Sequence, residues 1–113
     1  MAIILRAAES ATDLMHAFSL RKRVFVEEEA RFQHSDQFVF DLYDTLRESR
    51  NFIALLEGEE AIGALRVTLP NAAGLPALDH FDFMPFIKKN GLELSKVAAI
   101  SWLCTAQHFR RSQ

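Results

Sequence analysis

The sequence is poor in residues that staple or break a chain: of 113, one is cysteine, three are proline and four are glycine. A lone Cys104 excludes an internal disulfide framework and a cysteine-rich zinc site. No repeat, low-complexity tract or linker divides the chain. No apolar run approaches the ~20 residues of a membrane span, and no charged, apolar, small-residue leader opens the sequence. A surplus of one charge is missing too, since 13 Lys and Arg against 15 Asp and Glu leave a net charge of −2. General nucleic-acid binding needs a basic surplus, so it is not expected. What is present is apolar: half of the residues are hydrophobic and ten are phenylalanine. That suffices for the core of one domain, 1–113, and is too much for a disordered chain. The expectation is a single cytoplasmic domain.

Residues 2–5 form a short apolar run that reads as a first strand. Ser10 and Thr12 are candidate N-caps, and Asp13 suits the positive end of a helix dipole. Leu14, Ala17, Phe18 and Phe25 recur at helical spacing and carry a helix to about Val26. Residues 27–37 are polar and read as a loop. Residues 51–56 and 61–69 read as a hairpin around Gly58, closed by Pro70, which cannot donate to a ladder. Residues 79–89 are a short helix or an irregular segment with Phe81, Phe83 and Phe86 packed underneath. The same three phenylalanines could instead wall an acyl-chain tunnel. After Gly91, residues 93–102 read as another strand, and 103–113 are open between loop and helix. The pattern predicts a mixed α/β (α+β) domain.

Four features put charge where packing would prefer none. Arg21 follows Phe18 by three residues and precedes Phe25 by four, which places it on the apolar helix face. There it either snorkels from the edge or finds a carboxylate, because an unpaired buried charge is expensive. Asp41 and Asp44 flank Leu42 and Tyr43. On a helical turn they share one side and could hold Arg21 or a substrate cation; the plainer use is an N-cap and a turn residue. Arg66 is the sole charge in residues 62–69, alternating with Ile62, Ala64 and Thr68. If that face carries the helices, Arg66 belongs to an internal ion-pair cluster; if it is solvated, Arg66 is ordinary. Glu93 opens the last predicted strand, two residues before Ser95 on the same face. A carboxylate against apolar neighbours suits a general base, while a solvated strand end is the plainer reading.

Other residues carry less. His16, His34, His80 and His108 show no metal-ligand spacing, so no metal is assigned. Cys104 reads as a small buried hydrophobe rather than a nucleophile. Glu27, Glu28 and Glu29 after Arg21, Lys22 and Arg23 mark a solvated helix end. No nucleophile elbow or Walker-type loop is present.

In order, Arg21-Lys22-Arg23-Val24-Phe25, Phe40-Asp41-Leu42-Tyr43-Asp44, Gly63-Ala64-Leu65-Arg66 and Glu93-Leu94-Ser95-Lys96 cover nearly the whole chain. The set resembles the acyl-homoserine-lactone synthases and the related N-acyl amino acid synthases, both of the GNAT acyltransferase superfamily. The resemblance implies the N-terminal part of a GNAT-like fold, with a mixed, mostly antiparallel sheet flanked by helices. It implies transfer of an acyl group from an acyl carrier protein or acyl-CoA thioester to the amine of an amino acid or S-adenosylmethionine. No covalently bound cofactor is implied. Arg21, Phe25, Asp41, Asp44, Arg66, Ser95 and Lys96 map onto substrate-binding positions, and Glu93 onto the proposed base.

Three departures qualify it. Ala30-Arg31-Phe32 stands where the lactone synthases carry a tryptophan, which favours an amino-acid or other amine acceptor. Lys96 stands for an expected arginine, and a point charge does not replace a bidentate fork. Residues 109–113 fall about where GNAT proteins begin the loop and helix that bind the donor's pyrophosphate, with Arg110 and Arg111 as its first residues or as a solvated tail. The expectation is therefore a domain incomplete at its C-terminus, with its donor half lost from this chain or supplied by another chain or a homodimer partner. Two further readings stand beside it: a non-catalytic remnant acting as a binding module, and an acetyl-CoA-dependent small-amine acetyltransferase fragment.

Overall fold

Side-chain alternation in the two central strands decides how the fold is layered. In the computed structural model, which describes residues 2–31, 33, 36–79 and 81–111, β2 (Ser49–Leu56) buries Asn51, Ile53 and Leu55. Its partner β3 (Glu60–Thr68) buries Ile62, Ala64, Arg66 and Thr68. Alternate residues of a strand share a face, so this set forms one inward surface. β1 (Ile3–Ala7) and β4 (Ala99–Thr105) complete an antiparallel sheet in the order β1-β2-β3-β4. Glu57 and Gly58 turn the central hairpin with φ of 54° and 75°, a region that glycine enters without a Cβ penalty.

Helix α1 (Ala11–Arg21) lies on the inward face. Ser10 caps it, its Oγ accepting from the Asp13 amide at 3.1 Å, and Asp13 pairs with Arg6 on β1 at 2.8 Å. The helix continues through Lys22–Glu28 as a π-helix, whose wider turn leaves the adjacent Val24 and Phe25 both buried. Ala17, Leu20, Val24 and Phe25 pack on Ile53, Leu55, Ile62, Ala64 and Cys104. The opposite sheet face is open, a shallow apolar trough of about 440 Å³ between Leu5, Phe52, Leu65 and Leu103.

Two expectations need correction. Residues 93–102 are not one strand: Leu94–Lys96 is a 3-10 turn and β4 starts only at Ala99. The ladder explains it, because Ala99 pairs with Thr68, the last residue of β3, and Pro70 beyond it has no N–H to give. Nor do Phe81, Phe83 and Phe86 pack underneath. They are exposed, and the short helix α2 (Met84–Lys89) buries only Ile87. The ambiguous end resolves into the last part of β4 followed by helix α3 (Gln107–Arg111). Phe32, His34 and His80 lie outside the described residues, as do the side chains of Arg110 and Arg111.

Ser10→Ala is expected to cost about 1 kcal/mol of stability, read from the midpoint of urea unfolding. A loss below a few tenths would mean that the cap contributes little beside the packing of α1.

Candidate functional site

The inward face changes character along its length. Ile53 stands opposite Ala64, whereas one step along Asn51 stands opposite Arg66 and Ser49 opposite Thr68. The apolar half takes α1; the polar half holds an ion cluster. Arg21 reaches it from the last residue of α1 and is 1% exposed. Its Nη1 and Nη2 grip both carboxylate oxygens of Asp44, at 2.8 and 3.0 Å. The same nitrogens donate to the Val39 carbonyl at 3.1 Å and to Asn51 Oδ1 at 2.7 Å. Phe18 and Trp102 flank the guanidinium at 4.8 and 5.0 Å.

Arg66, fully buried, makes a second fork onto Asp41, with Nη1 at 2.5 Å and Nη2 at 3.2 Å. Its Nη1 also lies 3.2 Å from Asp44, and its Nε donates to Ser101 Oγ at 3.1 Å. Asp44 sits on the 3-10 turn Leu42–Thr45, and Asp41 caps its N-terminus. Asp41 Oδ1 accepts from the Tyr43 amide at 2.9 Å, and Asp44 Oδ2 accepts from the Asp41 amide at 2.9 Å. The two uses foreseen for these aspartates therefore coexist: they cap the turn and they hold the arginines.

Burial alone would raise the Asp44 carboxyl. The Arg21 hydrogen bonds and charge, the Asp41 amide and the Arg66 charge outweigh it, and its pKa lies below the usual carboxylate value. The Cys104 thiol is pushed up to about 11, chiefly by burial, so it stays protonated at neutral pH. Asp41 differs from its partners in exposure: its side chain is 36% accessible, against 4% for Asp44 and 0% for Arg66. Within the cluster, a ligand would meet this carboxylate first.

Phe25 packs edge-on against Trp102, with ring centroids 5.4 Å apart. The structure thus gathers Arg21, Phe25, Asp41, Asp44 and Arg66. Glu93, Ser95 and Lys96 stand elsewhere, at and on the exposed 3-10 turn Leu94–Lys96, with Glu93 preceding it 3.9 Å from Lys96. The apolar setting that favoured Glu93 as a base is not found around it. Asn51, Ser101 and Trp102 were missed. Alternation with Ile53 and Leu55 was a usable signal for Asn51; nothing in the sequence foretold the other two. A separate apolar cavity of about 260 Å³ lies between Phe83, Phe86, Ile87, Leu92 and Ile100. Among the described residues no group of His, Cys, Asp and Glu is arranged to hold a metal.

Arg21→Ala would leave the buried Asp44 without its bidentate partner, with Arg66 3.2 Å away as the remaining cation, and is expected to destabilise by about 3–5 kcal/mol. The exposed Arg50→Ala should stay within about 0.5 kcal/mol, which provides the control in the same denaturation series. Because the folded Asp44 pKa is depressed, its contribution is present above the unfolded value of about 3.9 and fades as pH falls through the folded one. Stability followed from pH 6 to pH 2 should fall more steeply in the wild type than in Asp44→Asn.

Residues 16–113 match the family model described as N-acyl amino acid synthase FeeM. The solved structure of FeeM, an N-acyl amino acid synthase from uncultured soil microbes, matches with a TM-score of 0.70 at 15% identity. The match covers 98% of this chain and 55% of that one, so this chain spans about half of the relative's length. A comparison with curated proteins finds no match. Four antiparallel strands under a helix, in the arrangement of the FeeM structure, and a family match from His16 onward agree: the chain belongs to the FeeM family of N-acyl amino acid synthases.

Proposed function

We propose that this chain takes part in transferring an acyl group from a thioester, carried by an acyl carrier protein or coenzyme A, to the α-amine of an amino acid. The family match over residues 16–113 carries this reading. The chemistry is compatible with the residues at hand. An α-ammonium has a pKa near ~8, so a base must take a proton before nitrogen can attack. The solvent-reaching edge of Asp41 is the proposed contact for the ammonium, whose proton leaves to solvent there. Attack on the thioester carbon gives a tetrahedral oxyanion on a cationic nitrogen; the intermediate collapses to the amide as that nitrogen gives up its second proton, and the expelled thiolate takes up a proton. Backbone N–H groups at the irregular part of β4 are the proposed oxyanion donors. The cavity beside Phe83 and Phe86 is the proposed seat of the acyl chain. No covalent enzyme intermediate is required, in keeping with a thiol held protonated.

Acyl-CoA and acyl carrier protein thioesters of graded length should be titrated against the purified chain, with thiol release followed after adding amino acids and the solution mass measured alongside. Saturable binding with thiol release supports transfer. Binding without release would overturn transfer by this chain alone. A preference for acetyl over longer chains would replace the amino-acid reading with acetylation of a small amine, and no binding by the folded chain would overturn both.

A further inference from the structure

Trp102, the chain's sole tryptophan, sits where the sheet loses its regularity. Ala64 pairs with Cys104, but Arg66 pairs with Ser101, so Trp102 and Leu103 together face Leu65. One extra residue in β4 is a bulge. Trp102 takes a φ of 53°, a left-handed conformation that a bulky residue rarely adopts. The geometry has a direct effect on side-chain direction. Neighbours in a regular strand point to opposite faces, yet Ser101 and Trp102 both reach the ion cluster. Ser101 Oγ accepts from Arg66 Nε at 3.1 Å, and the indole Nε1 donates to Asp41 Oδ2 at 3.1 Å. The indole ring also lies 5.0 Å from the Arg21 guanidinium and edge-on to Phe25. Leu103 is left exposed on the outer face, and Cys104 returns to the core. A conformation of this kind persists where its surroundings over-determine it, and here those surroundings are buried charges with fixed forks.

We propose that Trp102 is a positioning residue, which anchors the β4 bulge to Asp41 and Arg21 and so fixes the backbone of Trp102 and Leu103 in one conformation against the donor's thioester carbonyl. The anchoring stands on contacts alone; its use on a thioester rests on the transfer reading above. Trp102→Phe keeps a ring but loses the indole donor. Trp102→Gly accepts the positive φ and loses every anchor.

Amide hydrogen exchange resolved by residue, with circular dichroism as a check on folding, tests the anchoring in the isolated chain. Exchange at residues 102 and 103 should rise at least tenfold in Trp102→Gly and by less in Trp102→Phe, while amides of α1 and β2 keep their wild-type rates. Unchanged exchange at the bulge would overturn the proposal. Should Trp102→Gly fail to fold, Trp102→Phe decides alone, since any acceleration confined to the bulge supports anchoring and none refutes it. In the transfer assay Trp102→Phe should lower kcat at least tenfold with the KM for the amine unchanged. Loose exchange with an unaltered kcat would refute the catalytic half. If the wild type shows no transfer, the transfer reading fails by itself, and the exchange data still decide whether Trp102 positions the bulge.

Discussion

The buried double fork, Arg21 on Asp44 and Arg66 on Asp41, is the interaction on which the rest of the structure depends. Removing such ions from water costs several kcal/mol each, and only good geometry with further hydrogen bonds recovers it. Here the geometry is good: Arg21 also satisfies the Val39 carbonyl and Asn51, and Arg66 also satisfies Ser101. Stability alone is a weak account of the arrangement, since apolar residues of the same volume often do as well. What ion pairs add is position. A guanidinium fork fixes distance and plane together, which apolar contacts do not.

The segment carrying the two aspartates shows why position matters. Phe40 is 61% and Leu42 83% exposed, and Val39 is the deeply buried apolar residue among them. Too little apolar area is removed from water there to hold a turn in place. The forks hold it instead, tying one short turn at once to α1, β2, β3 and β4. Ser101 and Trp102 extend the same network into the irregular strand. A single cluster thus sets the relation between the aspartate turn, the end of α1 and the bulge.

That arrangement decides which of these charges reach solvent. The arginines spend their charge inside the protein, so they are poorly placed to bind a substrate directly. Asp41, shared between Arg66 and the indole and still partly accessible, is where the internal network meets solvent. Arg21, Asp44 and Arg66, which the resemblance maps onto substrate-binding positions, are bonded to one another's partners inside the protein. Glu93, Ser95 and Lys96, by contrast, are exposed, the last two on the 3-10 turn that Glu93 precedes.

By itself the sequence determined the layering and the location of the trouble. Alternation placed Arg66 with Ile62, Ala64 and Thr68, and helical spacing placed Arg21 with Phe18 and Phe25, because both patterns follow from local backbone geometry. The central hairpin and the capped first helix were legible for the same reason. Residues 93–102 were misread because an apolar, β-prone run does not reveal where its ladder partner stops; Thr68 and Pro70 decided that. The phenylalanines of 81–86 looked like core because composition signals burial but not what a six-residue helix has to pack against. Which aspartate takes which arginine, the accessibility of Asp41 and the inward turn of Trp102 are long-range facts. They depend on charges brought together from positions 21 to 102, and no local pattern encodes distances between elements that meet only in the folded chain.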